Sequence, residues 1–303
     1  MSVVLTVTEN PTVYMGIVQI RSKENTETVM ESLGPVEGAP AAELAYSLVL
    51  HRDFLFSQDS PILDVVLEKD GKHADALGPQ GITFYELQGE HWKMTGVEHL
   101  PAHRSSSREL RGFLFFDVDT EAVYFPAELC RLSIFDGKGW SCEKYMEPMP
   151  VRSVSEDATA GKKLGSWFSA AQFGPEQATR IIVTGQEGSA RLYEEGPDPV
   201  ALFPGWGSEI ASVHTGCGGG WQLLVTGQRD WTQADTIQAV EIRERRAQPV
   251  TSPVEVAGAV IALHTPATRS ADEASASASA VAVVRNLRTG RYEVYRLSIT
   301  CPN

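Results

Sequence analysis

The stretch IIVTGQEGSARLYEE, residues 181 to 195, contains two runs rich in apolar and β-branched residues on either side of a turn with two glycines. Such runs favour strands and glycine favours tight turns, so the stretch predicts a strand, a glycyl turn and a second strand that ends in an aromatic residue. Val-Thr-Gly-Gln from this stretch recurs at 225 to 228, 42 residues later, and DALGPQGITFYEL at 75 to 87 has the same glycine spacing and a Tyr-Glu end. The unit is therefore repeated.

The end of the second strand in each unit serves as a marker of the repeat, and the markers are separated by 50, 58, 47 and 55 residues. This is the step of a propeller blade of four strands, about 40 to 50 residues, lengthened by loops. The five markers are Tyr85, Phe135, Tyr193, Val240 and Tyr295. One more strand end near Ile20 would make six units. We therefore predict an all-β fold, a β-propeller of about six blades (range five to seven) of four-stranded antiparallel sheets, as a single domain over residues 1–303.

Two segments favour short helices instead of strands, NTETVMESL near residue 30 and SAAQFGPEQA near residue 172. The pattern Gly-x-x-Trp occurs at 89 to 92 and at 137 to 140, close to a marker in each case. At that position an inner strand would turn into an outer one. We expect Trp92 and Trp140 to cover the gaps between blades, whereas Trp221 precedes its marker and is not equivalent.

The segments SEIASVHTGCGGGWQLLVTGQRDWTQADTIQAVEI, residues 208 to 242, and SASAVAVVRNLRTGRYEVYRL, residues 277 to 297, resemble the blades of secreted bacterial propellers with FG-GAP and VCBS repeats. The resemblance covers the last 130 residues or so. It implies a propeller that acts outside the cytosol, and members of these families often bind calcium through an Asp-x-Asp-x-Asp-Gly loop. This chain has only DVDTEA, with Asp117 and Asp119, so we expect no metal and no cofactor.

Two of the four cysteines lie at the ends of CRLSIFDGKGWSC, residues 130 to 142. A hairpin turn at residues 136 to 139 would place Cys130 and Cys142 opposite each other. Facing strands bring Cα atoms to about 4.5 to 5.5 Å and a disulfide needs about 4.4 to 6.8 Å, so the geometry permits a bridge in an oxidising compartment. The alternative is two reduced thiols in the cytosol. A bond between Cys217 and Cys301, which would tie the last strand to a neighbouring blade, stays open.

Composition argues against several classes of function. The chain has 39 acidic and 26 basic residues, a formal charge of -13, which repels nucleic acid phosphates, so no nucleic acid partner is expected. No apolar run of about 18 residues occurs, so no membrane span is expected. The amino terminus lacks the basic and apolar regions of a signal peptide. We interpret the chain either as cytosolic or as a mature periplasmic or secreted protein whose leader has been removed.

Motifs of common enzymes are missing, but a propeller can assemble its site from single residues of several blades. Asp64 and Glu209 each lie near the start of a strand, where an inner strand would begin near the channel mouth. Carboxylates from two blades can act as an acid and base pair, as in glycoside hydrolysis. The alternative is that each carboxylate accepts backbone N–H bonds at the top of a blade.

Two further groups point only weakly to ligands. His91, His99 and His103 have spacings of eight and four that need not converge on a metal. Residues 218 to 220 are three glycines, which suit either a cradle for an anion or a turn with positive φ.

The arginines of RNLRTGRYEVYR, residues 285 to 296, form a local basic stripe on an acidic protein. Arg285, Arg288 and Arg291 are the predicted binding residues, since guanidinium groups can bind a carboxylated sugar or an acidic protein segment. The alternative is that these arginines and Arg296 pair with neighbouring acids.

We therefore predict a non-enzymatic, monomeric propeller of the cell envelope, periplasmic or secreted, that binds a protein or glycan partner. The alternative is a propeller hydrolase or lyase that acts on a polysaccharide or peptide through Asp64 and Glu209. A cytosolic interaction scaffold is the third hypothesis, and it requires reduced cysteines.

Overall fold

The structure is a computed structural model, and it divides the chain into two compact units, Met1–Ala45 and Tyr46–Asn303. The first unit is described as backbone only, over residues 2–10, 13–21 and 26–35. In the second unit the described residues are 47–68, 70–101, 111–117, 120–133, 139–145, 154, 159–164, 167–175, 178–185, 188–227, 232–265 and 279–301. Within these ranges, no helix has both the length and the apolar composition needed to cross a membrane.

The first unit is an antiparallel sheet of three strands in the order β1 (Ser2–Asn10), β2 (Val13–Arg21) and β3 (Thr26–Pro35). The prediction of a helix near residue 30 was wrong, because that segment is β3. A helix of nine residues is marginal without tertiary support, whereas the β-branched residues of this segment suit a strand paired along its length with β2. The expectation of a single domain over residues 1–303 stays a prediction.

The second unit consists of five antiparallel blades of four main strands each within the described ranges. Blade 1 contains β5 (Asp64–Leu67), β6 (His73–Gly78), β7 (Gly81–Gln88) and β8 (His91–His99). Blade 2 contains β9 (Phe113–Asp117), β10 (Thr120–Phe125), β11 (Glu128–Ser133) and β12 (Gly139–Lys144). Blade 3 contains β13 (Ala170–Phe173), β14 (Arg180–Thr184), β15 (Ser189–Tyr193) and β16 (Ala201–Pro204).

Blade 4 contains β17 (Trp206–His214), β18 (Trp221–Gly227), β19 (Thr236–Arg243) and β20 (Arg246–Pro249), with the short β21 (Val254–Glu255) paired to β19. Blade 5 contains β22 (Gly258–His264), β23 (Ser279–Asn286), β24 (Tyr292–Thr300) and β4 (Val49–Gln58). The predicted helix near residue 172 is the strand β13, which ends at Gly174, whose φ is +99°. Helix formation is interrupted there by Gly174 and Pro175.

The ring is closed by strand β4, which comes first in the second unit but pairs with the last strand of the chain. Thr300 pairs with Val49 and Tyr292 pairs with Gln58, so β4 becomes the outermost strand of blade 5. The first strands of neighbouring blades contact one another, β5 with β9, β13 with β17 and β17 with β22. These first strands are therefore the inner strands of the ring.

The hydrophobic core lies between neighbouring blades. Side chains of β17, β18 and β19 pack against those of β22, β23 and β24 in one cluster, and side chains of β5, β6 and β7 pack against β4, β23 and β24 in another. A middle strand such as β23 is buried on both faces, and residues 280 to 284 are all fully buried. This explains why several strands of the sequence are continuous apolar runs and lack the alternation of a half-exposed strand.

The predicted fold class is confirmed, and the number of blades, five in the described residues, lies within the expected range. Four markers of the sequence repeat, Tyr85, Tyr193, Val240 and Tyr295, lie on the third strand of a blade. The fifth marker, Phe135, is outside the described residues. Ile20, taken as the marker of a sixth unit, lies in β2 of the amino-terminal sheet.

The expected role of two tryptophans is also confirmed. Trp92 on β8 packs into the cluster between blades 5 and 1, and Trp140 on β12 packs into the cluster between blades 1 and 2. Both are on the fourth strand of a blade, whereas Trp221 is on a second strand. A large side chain at the start of a fourth strand therefore covers the gap between two blades.

Both pairs of cysteines are disulfide-bonded, and no free cysteine is present. Cys130 and Cys142 face each other on β11 and β12, as the hairpin predicted. Their Cα atoms are 4.0 Å apart, which is closer than the expected separation of facing strands. Cys217 in the turn between β17 and β18 is bonded to Cys301, which directly follows β24. The second disulfide therefore ties the end of blade 5 to blade 4.

Candidate functional site

Asp64 is buried at the start of β5, on the inner ring. Its Oδ2 accepts a hydrogen bond of 2.7 Å from the backbone N–H of Leu114, on the first strand of blade 2. Its Oδ1 lies 3.4 Å from Nδ1 of His264, at the end of the first strand of blade 5, and Nε2 of His264 lies 2.6 Å from the carbonyl oxygen of Val65. The carboxylate of Asp64 therefore links blade 1 to both of its neighbours.

Glu209 lies on β17, the inner strand of blade 4, with part of its side chain exposed. Its carboxyl group accepts hydrogen bonds from the backbone N–H of Leu263 in blade 5 and from the hydroxyl of Ser208. Burial raises the pKa of Glu209 to about 8, against the opposing effect of the positive charge of Arg111, while the negative charge of Asp235 raises it further. At neutral pH this carboxyl group therefore carries a proton for most of the time.

Asp64 and Glu209 consequently play the same structural part in two different blades. Each accepts the backbone N–H of the residue that faces it on the inner strand of the next blade. This agrees with the second of the two interpretations of these carboxylates, in which they satisfy backbone donors at the ring. A hydrogen bond inside a protein contributes about 0.5 to 1.5 kcal/mol to stability, and leaving a buried donor without its acceptor costs about 1 to 3 kcal/mol.

The three glycines at 218 to 220 form a turn that is already occupied by a carboxylate of the protein itself. The N–H of Gly219 donates a hydrogen bond of 2.9 Å to Oε1 of the buried Glu241. Gln222 also donates to Oε1, and Arg243 donates to Oε2. Burial raises the pKa of Glu241, but these hydrogen bonds together hold it below its usual value. The glycyl turn therefore supports an internal ion pair.

Metal-ligating side chains come together at one exposed turn of blade 1. Ligand atoms of Glu68, Asp70 and His73 lie within 4.8 Å of one another between β5 and β6. Nδ1 of His73 is 2.6 Å from Oδ2 of Asp70, and this hydrogen bond raises the pKa of His73. The histidine and the carboxylate thus satisfy each other. Of the histidines that the sequence singled out, His91 and His99 lie at opposite ends of β8, and His103 is outside the described residues.

The four arginines of the basic stripe divide into two pairs. Arg291 and Arg296 are paired with acids of the chain, Arg291 through Nε with Asp59 at 2.9 Å and Arg296 through Nη2 with Asp53 at 3.4 Å. Arg285 and Arg288 are exposed, and within the described residues their guanidinium groups make no hydrogen bond or ion pair. The turn that carries Arg288 is held by Asn286, whose Oδ1 accepts the backbone N–H of Arg288 at 2.9 Å.

A groove opens where the ring closes, between blade 1 and the end of β4. Its volume is about 430 Å³, and we call it the closure groove. One wall is the outer part of blade 1 and the other is the chain after β4. Its lining residues are Gln58, Ser60, Pro61, Gly78, Pro79, Gln80, Gly81, Thr83, Tyr85, Met94, Val97 and His99.

A β-bulge shapes the outer wall of the closure groove. Phe84 pairs with Gly96 and Tyr85 pairs with Met94, so Thr95 is an extra residue on β8. In a regular strand, residues 94 and 97 would point to opposite faces, but a bulge shifts the alternation by one. Met94 and Val97 therefore both line the groove, and they are 63% and 48% exposed.

Two exposed apolar side chains lie together on the wall of this groove. Among the described residues, seven large hydrophobic side chains are strongly exposed, and two of them, Met94 and Val97, line the groove. Clustered exposed apolar residues commonly mark interaction sites. Sequence reasoning missed this site, because the bulge at Thr95 and the pairing of β4 with the last strand leave no local signal.

The basic stripe lies beside the closure groove. Arg291 not only pairs with Asp59 but also donates to the carbonyl oxygen of Ser57, and these residues flank Gln58 on the groove wall. This contact attaches the turn with Arg288 to the end of β4. The closure groove and the turn of residues 286 to 291 thus form a continuous candidate surface.

The strand order and the closure by β4 define a β-propeller, with five blades in the part of the chain that the structure describes. No protein-family model matches the chain, and no curated protein matches it, so the resemblance to FG-GAP and VCBS repeats stays a prediction.

Solved structures similar to the chain include Hsv2 of Kluyveromyces marxianus, with 10% identity and a TM-score of 0.34 over 80% of this chain and 99% of that one. Hsv2 of Kluyveromyces lactis with complete loop 6CD has 10% identity and a TM-score of 0.26 over 75% of this chain, which spans only 57% of that one. BBS1N, solved in complex with ARL6DN, has 9% identity and a TM-score of 0.30 over 98% of this chain and 93% of that one. These similarities are too low to argue function.

Proposed function

We propose that the protein is a non-enzymatic binding module, monomeric and periplasmic or secreted, that binds a protein or glycan partner at the closure groove. The observation that carries the proposal is the pair of exposed apolar side chains, Met94 and Val97, on the wall of a groove of about 430 Å³. A concave site of this size with convergent polar groups is typical of ligand sites. Arg285 and Arg288, which have no partner for their guanidinium groups among the described residues, provide charge for specificity beside it.

The cysteines support the choice of compartment. Two disulfides and no free cysteine are typical of proteins in oxidising environments and rare in the cytosol. The cytosolic scaffold hypothesis requires reduced thiols, so these bridges argue against it. A binding role in the cell envelope or outside the cell fits this chemistry.

Capture of the partner tests the proposal. Tagged wild-type protein would be cross-linked and recovered from the envelope fraction of its native host beside the double variant Met94→Ser, Val97→Ser and the control Leu202→Ser. Leu202 is 63% exposed, as Met94 is, but lies on β16, the outer strand of blade 3. We expect one reproducible partner with wild type and with the control, and its loss with the double variant, because burial of each apolar side chain contributes about 1.5 to 3 kcal/mol. Equal recovery with all three proteins contradicts the groove as the site.

A second candidate function, hydrolysis or elimination on a polysaccharide or peptide, is favoured by one observation. The pKa of Glu209, about 8, is that of a group able to act as a general acid at neutral pH. A panel of glycan, ester and peptide substrates would test it. Turnover that disappears in Glu209→Gln but persists in Met94→Ser, Val97→Ser would establish the enzyme and move the site to the inner ring.

A further inference from the structure

We infer that the occupant of the closure groove is an extended, acidic segment of a partner protein that inserts an apolar side chain beside Met94 and Val97. The inference rests on the proposed function and names its partner class. It is drawn from four features of the groove: its rigid base, its apolar wall, its free sheet edges and its charge.

The base of the groove is formed in advance by close backbone packing. A Cβ atom added to Gly81 would lie 2.3 Å from the carbonyl oxygen of Glu98, and one added to Gly78 would lie 3.3 Å from that of Pro61. The hydroxyl of Tyr85 donates a hydrogen bond of 2.7 Å to Gln58, which joins the two walls. A preformed groove reduces the entropy lost on binding.

The wall of the groove suits an apolar side chain better than a sugar. A sugar ring packs its C–H face on an open aromatic face, but the ring of Tyr85 is stacked on Phe56, with centroids 3.9 Å apart, and Tyr85 is 7% exposed. Apart from the imidazole of His99, no other aromatic side chain lines the groove within the described residues. The exposed surface is that of Met94, a flexible thioether that adapts to apolar partners, and of Val97.

The groove is bounded by two strands that end their sheets. β4 is the outermost strand of blade 5 and β8 is the outermost strand of blade 1. Such edges leave a row of N–H and C=O groups without partners in their own sheet, and an extended peptide can pair with them. This favours a segment in extended conformation over a helix.

The charge around the groove selects an acidic segment. Arg288 lies on the exposed turn and Arg285 near the end of β23, and neither guanidinium group has a partner among the described residues. Arg291 holds this turn against the end of β4. A local excess of positive charge on a protein with a formal charge of -13 attracts a negative partner at this place and repels it elsewhere. Arginine also binds carboxylates with two parallel hydrogen bonds, which fixes their orientation.

A peptide selection with the intact, disulfide-bonded chain tests the inference. Short random peptides displayed on phage would be selected on the wild-type protein, and the enriched peptides would be synthesised with a fluorescent label for anisotropy titrations. We expect an apolar residue flanked by aspartate or glutamate. Binding should weaken by about tenfold or more in Met94→Ser, Val97→Ser, and by about tenfold in Arg288→Glu, with a smaller effect of Arg288→Glu at high salt.

Two matched controls separate the groove from the rest of the surface. Leu202→Ser removes an equally exposed apolar side chain from blade 3, and Arg246→Glu reverses an exposed arginine at the start of β20 in blade 4. Both should bind the selected peptides within about twofold of wild type, since distant exposed charges contribute little.

The outcomes also distinguish the inference from the proposed function. Three outcomes would overturn the inference of an acidic segment: no peptide is enriched, the enriched peptides are basic, or Arg288→Glu binds the peptides as well as wild type does. If the captured partner is lost in Met94→Ser, Val97→Ser but a glycan array binds where peptides do not, the binding module stands and the protein segment is wrong. If Met94→Ser, Val97→Ser changes neither capture nor peptide binding, both proposals fall.

Discussion

Replacing Glu209 with glutamine is expected to remove most of a fall in stability that the wild-type protein shows between about pH 5 and about pH 8. In the unfolded chain, a glutamate ionises near its ordinary value of 4.5, whereas burial raises the pKa of Glu209 in the folded protein to about 8. Between these values the folded state holds a proton that the unfolded state has released. Stability is therefore highest below the lower value and declines as pH rises through the higher one.

The size of this fall in stability follows from the shift in the pKa of Glu209 between the unfolded and the folded protein. Each pKa unit corresponds to about 1.4 kcal/mol, so the full decline is on the order of 4 to 5 kcal/mol. Glutamine retains the shape of the protonated acid and does not ionise. The difference in the free energy of unfolding between Glu209→Gln and wild type should therefore grow steadily across this pH interval. Urea unfolding at several pH values would measure it.

Glu241→Gln is the matched control for this prediction. Glu241 is, like Glu209, a glutamate of blade 4. Burial alone would raise the pKa of Glu241, but its hydrogen bonds with Gly219, Gln222 and Arg243 lower it. The ionisation of Glu241 therefore changes the slope of the free energy of unfolding against pH only at acid pH. Between about pH 5 and about pH 8 the Glu241→Gln curve should run parallel to wild type, at lower stability. Parallel curves for Glu209→Gln and wild type would show that Glu209 is ionised in the folded protein.

Removing the bridge between Cys217 and Cys301 is expected to destabilise the protein more than removing the bridge between Cys130 and Cys142. The two bridges span 84 and 12 residues of chain. In the chain-entropy account, bridges that close loops of these lengths raise the free energy of the unfolded state by about 4.5 and about 3 kcal/mol, respectively. The longer bridge also fastens the end of β24, on which β4 must pair to close the ring.

The double variants Cys217→Ala, Cys301→Ala and Cys130→Ala, Cys142→Ala form a matched pair for this test, since each removes two sulfur atoms. Their free energies of unfolding in urea, compared with wild type, give the two losses. A loss from Cys130→Ala, Cys142→Ala that equals or exceeds the other would contradict the role of the longer bridge in closure.

Whether sequence reasoning could find a part of the site depends on the contacts that build that part. The basic stripe was visible because its arginines are close together in the chain. Only the folded ring shows that Arg291 and Arg296 pair with acids, whereas Arg285 and Arg288 do not pair with any residue that the structure describes. Asp64 and Glu209 were placed at the inner ring because the sequence predicts each near the start of a strand; Asp64 begins β5, and Glu209 is the fourth residue of β17. That each binds the backbone of the next blade depends on contacts with Leu114 and Leu263, about 50 residues further along the chain.

The sequence by itself determined the β-propeller class, the third strand of most blades and the facing pair Cys130 and Cys142. These features arise from hairpins, whose strands pair with near neighbours, so turn residues and apolar runs record them directly. The tertiary structure alone decided the five blades, the closure of blade 5 by β4, the partner of Cys217 and the groove with Met94 and Val97. Closure joins segments more than 200 residues apart, and the bulge at Thr95 shifts which side chains face inward. Packing between blades determines both the closure of the ring and the position of the bulge. Local strand propensity does not depend on this packing and therefore does not predict either feature.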